Sequence, residues 1–79
     1  MNGDAVADLL IKWSENSGVE YLHRAPPAAR FVTGNQYLDA RIYQFESAAG
    51  VELTILKDDI TDYRVVDQRR WVEFVLKYA

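Results

Sequence analysis

Hydrophobic residues near the start of the chain recur with the spacing of an amphipathic helix, in which positions three and four apart share one face. The apolar positions are Val6, Leu9, Leu10 and Trp13. Asp4 precedes this stretch, and its carboxylate could accept the free backbone N–H groups of a first turn. Gly18 follows it and can take the left-handed conformation that ends many helices. The pattern predicts an N-terminal helix capped by Asp4.

The middle of the chain has a different pattern. Residues 41–46, 51–57 and 60–66 are rich in β-branched and aromatic side chains, and the short breaks at 47–50 and 58–59 separate them. Three such runs with short polar or glycine-bearing breaks predict an antiparallel β-meander. We expect this meander to be the sheet on which the rest of the chain packs.

The central run of the meander alternates between apolar and polar side chains. Val51, Leu53 and Ile55 would lie on one face of a strand, whereas Glu52 and Thr54 would point the other way. Clean alternation of this kind indicates a sheet with one buried face and one face that meets water or a partner.

Additional strands are predicted before the meander. Residues 19–24 alternate in the manner of a first strand, and residues 31–32 could form a short edge strand. Pro26 and Pro27 interrupt regular structure between them, because proline cannot donate to a β-ladder. Residues 33–36 are predicted to form a turn. The sheet would then contain three to five strands.

The apolar residues in the segment 67–78 fit both the spacing of a helix and the spacing of a strand. As a helix, the segment is capped by Asp67, with an apolar face of Trp71, Phe74, Val75 and Tyr78. As a strand, Val72, Phe74, Leu76 and Tyr78 would share a face. The cap and the length favour the helix, and a C-terminal strand is the alternative. The expected fold is one small α+β domain over residues 1–79: an N-terminal helix, a meander and a C-terminal helix.

Composition narrows the class of protein. Hydrophobic residues make up 49% of the chain, enough for one compact core, and the absence of cysteine excludes disulfides and thiolate metal sites. No apolar run approaches the ~20 residues needed to cross a bilayer, and the first ten residues lack the positive charge of a signal peptide. We therefore expect a cytoplasmic protein that does not enter a membrane.

Candidate catalytic chemistry is sparse. His23 is the sole histidine, and no metal-ligand spacing surrounds it. The serines fall at an expected helix end or turn, and no glycine-rich loop suited to phosphate occurs. We expect no enzymatic activity, no cofactor and no metal site.

The densest acidic group is formed by Asp58, Asp59 and Asp62. Carboxylates at this spacing suit a solvated turn better than a calcium loop. The same group could also meet a basic surface on a partner protein, since complementary charge speeds encounter and fixes orientation. Tyr37 and Tyr43 are further candidate contacts, because tyrosine offers a large contact area at low entropic cost.

Direct contact with nucleic acid is an alternative that would use Arg64, Arg69 and Arg70. A net charge of −3 disfavours it, because such binding depends on cations that release counterions from phosphates. In a C-terminal helix Trp71 would face the core and would not stack on bases. We do not expect direct nucleic-acid binding.

Residues 59–66, with the sequence DITDYRVV, resemble a D-I-x-x-Y-R-V stretch found near the end of many small phage proteins. This chain departs from the pattern by continuing for thirteen residues past Val66. Together with its small, acidic, cysteine-free character, the chain is similar to phage-encoded inhibitor proteins of the anti-CRISPR type. The resemblance implies a strand and a mobile-element origin. It carries over no site residue, because that group shares no common motif.

The leading hypothesis is a non-enzymatic protein-binding module, a phage or mobile-element inhibitor that binds a host nucleic-acid-processing complex in the host cytosol. The expected partner is a host protein or protein complex, and the chain itself would be a monomer or a small homo-oligomer. The first alternative is a structural subunit that self-associates through a sheet edge or the wet sheet face. The second is a minimal nucleic-acid-binding domain.

Overall fold

The computed structural model describes residues 2–20, 22–30 and 32–79. Within them the chain forms three helices and one two-stranded antiparallel sheet, which together make an α+β fold. The elements in chain order are α1 (Gly3–Asn16), α2 (Gln36–Ala49), β1 (Val51–Leu56), β2 (Asp59–Val65) and α3 (Gln68–Tyr78).

Helix α1 confirms the predicted N-terminal helix. Val6, Leu9 and Trp13 are buried along one face, as their spacing indicated. The capping residue is Asn2 rather than Asp4, and its side-chain oxygen accepts a 3.0 Å hydrogen bond from the N–H of Ala5. The prediction of an Asp4 cap was wrong by two residues, because asparagine is an equally good cap and the helix begins one residue earlier than Asp4.

Helix α2 overturns part of the predicted meander, since residues 41–46 are helical rather than a strand. Asn35 caps the helix by accepting from two backbone N–H groups, and Gly50 ends it in the left-handed conformation at φ +73°. Ile42, Phe45 and Ala49 are buried at helical spacing. The Asn35 cap, the Gly50 terminus and the helical spacing of the buried residues outweigh the β-propensity of residues 41–46.

The rest of the meander is a hairpin of β1 and β2. Val51 pairs with Val65 and Leu53 with Tyr63, and Thr61 is the extra residue of a bulge between the Thr54 and Ile55 pairs. No further strand occurs among the residues that the structure describes, so the prediction of three to five strands is not confirmed. The predicted strand at 19–24 is absent from residues 19, 20 and 22–24, and Tyr21 lies outside the description.

The predicted edge strand at 31–32 is not tested in full. Val32 lies in an irregular segment, and Phe31 falls outside the described residues. Around the prolines the chain forms no helix or strand, as expected, and Ala29 N–H donates a 2.9 Å hydrogen bond to the carbonyl of Pro26 that closes a turn.

Helix α3 confirms the helical interpretation of the C-terminal segment, and the alternative strand is wrong. Asp67 caps it by accepting a 3.1 Å hydrogen bond from Arg70 N–H, and Trp71 and Phe74 are buried. An amphipathic period with a good cap outweighs the β-branched content. Arg69 and Glu73 form an exposed i,i+4 ion pair on this helix at 3.5 Å.

The core lies where α1, α2, α3 and one face of the hairpin meet. Phe45 is fully buried at its centre, with ring centroids 5.8 Å from Trp13 and 5.3 Å from Phe74 in edge-to-face arrangements. Trp71 stacks on Phe74 at 6.3 Å. Aromatic contacts of this geometry add to the free energy of burial. These aromatic contacts hold the three helices against each other. The turn of the hairpin takes no part in them.

Candidate functional site

The hairpin turn displays the acidic residues at one end of the molecule. Lys57 and Asp58 both have positive φ, at 52° and 65°, as a tight two-residue hairpin turn requires. The turn therefore begins one residue earlier than the predicted pair Asp58 and Asp59, and Asp59 is the first residue of β2. Both carboxylates belong to exposed residues.

The start of α1 packs against β2 beside this turn. Gly3 is buried there, and a Cβ at position 3 would collide with the carbonyl of Ile60, so only glycine permits this approach. As a result Asp4 and Asp59 border the same open depression, which also includes Asn2 and Thr61. The helix N-terminus thus adds a third carboxylate to the acidic end of the hairpin.

A cleft of about 170 Å³, which we call the apolar cleft, lies between α1, α2 and the hairpin. Among the described residues that line it, Thr33 and Asp58 are the polar ones. Its apolar lining consists of Ala7, Leu10, Ile11, Leu38, Ile42, Ile55 and Ile60. Ile11 and Leu38 remain 52% and 39% exposed, so the cleft is open to the surface. The carboxylate of Asp58 therefore lies at the border of an accessible apolar surface.

The loop before α2 is fastened by a buried carboxylate. Asp39 is only 1% exposed, and its Oδ1 accepts hydrogen bonds from the backbone N–H of Thr33 at 2.9 Å and from its hydroxyl at 2.8 Å. Oδ2 has no hydrogen-bond partner among the described residues. These bonds hold Thr33 in the wall of the apolar cleft.

The other predicted contact residues are spread over the surface. Asp62 is exposed in β2, and its carboxylate accepts a 2.7 Å bond from the backbone N–H of Tyr63. Tyr37 is 69% exposed in the first turn of α2, in a shallow depression that shares Leu38 with the apolar cleft. Tyr43 is half-buried on α2 and does not line the cleft.

The structure thus places Asp58 in the lining of the apolar cleft and Asp59 in the neighbouring depression, and Tyr37 precedes Leu38 of the cleft wall. Sequence reasoning missed the apolar members of this surface. The sequence contained one signal for an apolar surface at this place, because Ile11 is a large apolar residue outside the buried stripe of α1. Leu38 and Ile42 could not be found once residues 41–46 were assigned to a strand.

Charge is unevenly distributed between this end and the rest of the molecule. The ion pairs among the described residues join Arg30 to Glu46, Arg64 to Glu52, Arg69 to Glu73 and Arg70 to Asp67. None of those pairs includes Asp4, Asp58, Asp59 or Asp62. The acidic end therefore retains negative charge that its own arginines do not neutralise.

The pKa of Glu52 is shifted by its neighbour in the hairpin. Arg64 donates a 2.6 Å hydrogen bond to Glu52, and this bond and the guanidinium charge lower the pKa of Glu52 below its ordinary value of 4.5. The pair lies on the face of the hairpin that is turned to solvent, two residues along each strand from the pair of Thr54 and Asp62. Across the described part of the chain, no three His, Cys, Asp or Glu side chains are grouped so as to hold a metal ion.

Comparisons with known proteins add no relative: no family model, no curated protein and no solved structure matches this chain. Among the described residues, none of the helices has the length and apolar character needed to span a membrane.

Proposed function

We propose that this chain is a non-enzymatic protein-binding module that docks its acidic hairpin end on a basic surface of a nucleic-acid-binding protein. The observation that carries the proposal is the apolar cleft, which Asp58 lines, next to the depression that Asp4 and Asp59 line. The cleft and the depression share Ala7 and Ile60. None of these three carboxylates has a cationic partner among the described residues. An apolar centre with a charged border is the usual anatomy of a protein interface.

Charge complementarity selects the chemistry of the partner. Surfaces that bind phosphate backbones are rich in lysine and arginine. The carboxylates of Asp4, Asp58 and Asp59 would take the place of phosphate groups on such a basic surface. An aliphatic or aromatic side chain of the partner would enter the apolar cleft, while its cations would meet the border.

The biological context that we propose is inhibition of a host nucleic-acid-processing complex by a phage or mobile-element protein of the anti-CRISPR type, acting in the host cytosol. The similarity of residues 59–66 to a stretch of small phage proteins supports this context. All of those residues except Val66 form β2, and they include Asp59, so the phage-like stretch contributes to the proposed surface.

Direct nucleic-acid binding has less support. Arg64 and Arg69 pair with carboxylates, and Arg70 donates a 2.9 Å hydrogen bond to the carbonyl of Ser47 while lying 3.8 Å from Asp67. Cations that already have partners release fewer counterions from nucleic acid than free ones.

The test compares two double variants that remove the same charge. Asp58→Asn with Asp59→Asn alters the proposed surface, whereas Glu15→Gln with Glu20→Gln removes two exposed carboxylates elsewhere. Proteins captured from host lysate by the parent chain are identified, purified and titrated against all three forms at two salt concentrations. We expect a nucleic-acid-binding partner whose affinity falls about tenfold or more with the first variant and changes little with the second.

Competition gives a second readout. DNA or RNA added to the purified partner should displace this chain if both occupy one basic surface. Equal affinities for all three forms, or binding unaffected by saturating nucleic acid, would contradict the proposal.

A further inference from the structure

Among the described residues the sheet has two strands, so β1 has β2 on one side and an outer edge on the other. Val66 N–H donates a 2.9 Å hydrogen bond to the carbonyl of Gly50, which fixes the residues that face β2. Because residues of an antiparallel strand face their neighbour in alternation, Val51, Leu53 and Ile55 turn their backbone groups to the outer edge. Free backbone groups in a row are a template on which another strand can pair.

Leu53, at the centre of this edge, has both of its backbone groups bonded to side chains. Its N–H donates a 2.7 Å hydrogen bond to the carboxylate of Glu46, from α2. Its carbonyl accepts a 2.9 Å hydrogen bond from the guanidinium of Arg30. The two side chains also form an ion pair with each other, in which Glu46 is 13% exposed and Arg30 is 44% exposed. Glu46 and Arg30, which we call the edge lock, therefore occupy the position that a further strand would need.

The loop before α2 holds Arg30 in place from both sides. Ala29 is buried, and its N–H closes the turn with the carbonyl of Pro26. On the other side, the carboxylate of Asp39 accepts hydrogen bonds from the backbone N–H and the hydroxyl of Thr33. Because its surroundings in the chain are fixed, Arg30 loses less conformational entropy on binding the strand than an arginine in a loose loop would.

We infer that the edge lock keeps β1 from pairing with β1 of a second copy of this chain. A pairing strand bonds to alternate residues in succession, so an occupied Leu53 leaves no two successive sites free on a strand of six residues. Natural sheets protect their edges with charged side chains or with a covering loop. Here the edge lock combines the two, since the carboxylate–guanidinium pair includes an arginine that the loop carries.

The edge lock lies apart from the acidic end of the hairpin. Neither Arg30 nor Glu46 is among the described residues that line the apolar cleft or the depression beside it. The inference therefore does not depend on the proposed function, and its test requires this chain alone. A subunit that assembles through its sheet edge needs that edge open, so the edge lock is also evidence against a self-associating subunit of that kind.

The experiment opens the edge lock and measures association of the full chain by sedimentation, from micromolar to millimolar concentration. Arg30→Ala with Glu46→Ala frees both backbone groups of Leu53 and removes one charge of each sign. Arg69→Ala with Glu73→Ala is the matched control, since it removes an exposed arginine–glutamate pair from α3. The parent and the control should stay monomeric, whereas the opened variant should at least double its average mass over this range.

A loss of stability can also cause association, so Val6→Ala provides a second control. Val6 is fully buried in α1, and its truncation lowers stability without removing a group from the edge of β1. Urea denaturation compares the stabilities, and circular dichroism establishes that each variant is folded. Arg30→Ala alone, which frees only the carbonyl of Leu53, replaces the opened variant if that one does not fold. It should associate more weakly but still more than the controls.

Hydrogen exchange of the Leu53 amide identifies the surface that associates. In the opened variant at low concentration, this amide should exchange about tenfold or more faster than in the parent, because its acceptor is gone. Association through β1 should restore its protection. An opened variant that stays monomeric overturns the inference. So does association to the same degree in the parent or in either control, or association that leaves the Leu53 amide unprotected.

Discussion

The carboxylate of Glu46, in α2, accepts a 2.7 Å hydrogen bond from the backbone N–H of Leu53, in β1. The same carboxylate forms an ion pair with Arg30, whose guanidinium donates a 2.9 Å bond to the carbonyl of Leu53. Two side chains therefore satisfy both backbone groups of Leu53, on the edge of β1 that faces away from β2. These bonds stabilise the hairpin of β1 and β2, because an isolated two-stranded hairpin has only marginal stability in water.

Glu46→Ala should lower the free energy of unfolding by about 1–3 kcal/mol, because it leaves the N–H of Leu53 without an acceptor and removes the ion-pair partner of Arg30. Urea denaturation measures the change. Glu73→Ala is the control, since Glu73 also pairs with an arginine but both groups are exposed. An exposed helix pair contributes little, so equal losses in the two variants would contradict a special role for Glu46.

Gly50 joins α2, the hairpin and α3. Its carbonyl accepts bonds of 2.9 and 3.0 Å from the N–H groups of Val66 and Asp67. A Cβ on this residue would lie 2.8 Å from the carbonyl oxygen of Asp67 and 3.0 Å from the Cβ of Arg70. Gly50→Ala should therefore cost about 2–4 kcal/mol, from the positive φ and the overpacking together.

Gly34→Ala separates those two causes. Gly34 has a similar φ of +79°, but nothing lies within 4 Å of the position its Cβ would take. It should cost only the backbone contribution, about 1–2 kcal/mol, in the same denaturation assay. If both variants lose the same stability, the contact with α3 is not the cause.

The sequence predicted the helices at the two ends because each has a long amphipathic period and an end signal. It failed at α2 because the run from Arg41 to Glu46 combines Ile42, Tyr43 and Phe45, whose local preference is for strands. The deciding signals, Asn35 and Gly50, lie outside that run. A strand assignment based on six residues overlooked a helix of fourteen.

The site was predicted less completely than the fold. Asp58 could be placed at a turn from local chemistry alone, whereas Asp59, which was assigned to the same turn, begins β2. The apolar cleft could not be predicted, because Ile11, Leu38 and Ile55 come from three elements and meet only through tertiary packing. Gly3 had no signal in the sequence, since its role depends on how closely α1 approaches the backbone of β2.

Asp39 offers a test of the loop that borders the apolar cleft. Asp39→Ala removes the acceptor for both the N–H and the hydroxyl of Thr33, and should cost about 1–3 kcal/mol. Thr33→Val removes only the hydroxyl and should cost less. Denaturation of the two variants gives the comparison, and a larger loss for Thr33→Val would contradict the assigned bonds.

The pair of Glu52 and Arg64 should make stability depend on acid pH. The pKa of Glu52 is lower in the folded chain than its ordinary value of 4.5, so the unfolded chain binds more protons in the interval between the two. The stabilisation is present above pH 4.5 and is lost as the pH falls through the folded value. Glu52→Gln should flatten this part of the profile of unfolding free energy against pH, and Arg64→Gln should do the same. A profile unchanged by both would contradict the assignment.

Asp58 links the stability of the hairpin to the proposed binding surface. Its φ of 65° suits glycine better than aspartate, so Asp58→Gly should stabilise the fold by up to about 1 kcal/mol. The same change removes a carboxylate from the border of the apolar cleft and should weaken binding to a basic partner. Asp58→Asn keeps a residue that tolerates positive φ but removes the charge, so it should weaken binding while leaving stability nearly unchanged. Urea denaturation and titration of the partner measure the two effects separately. A glycine variant that is more stable and binds as tightly as the parent would place the binding surface elsewhere.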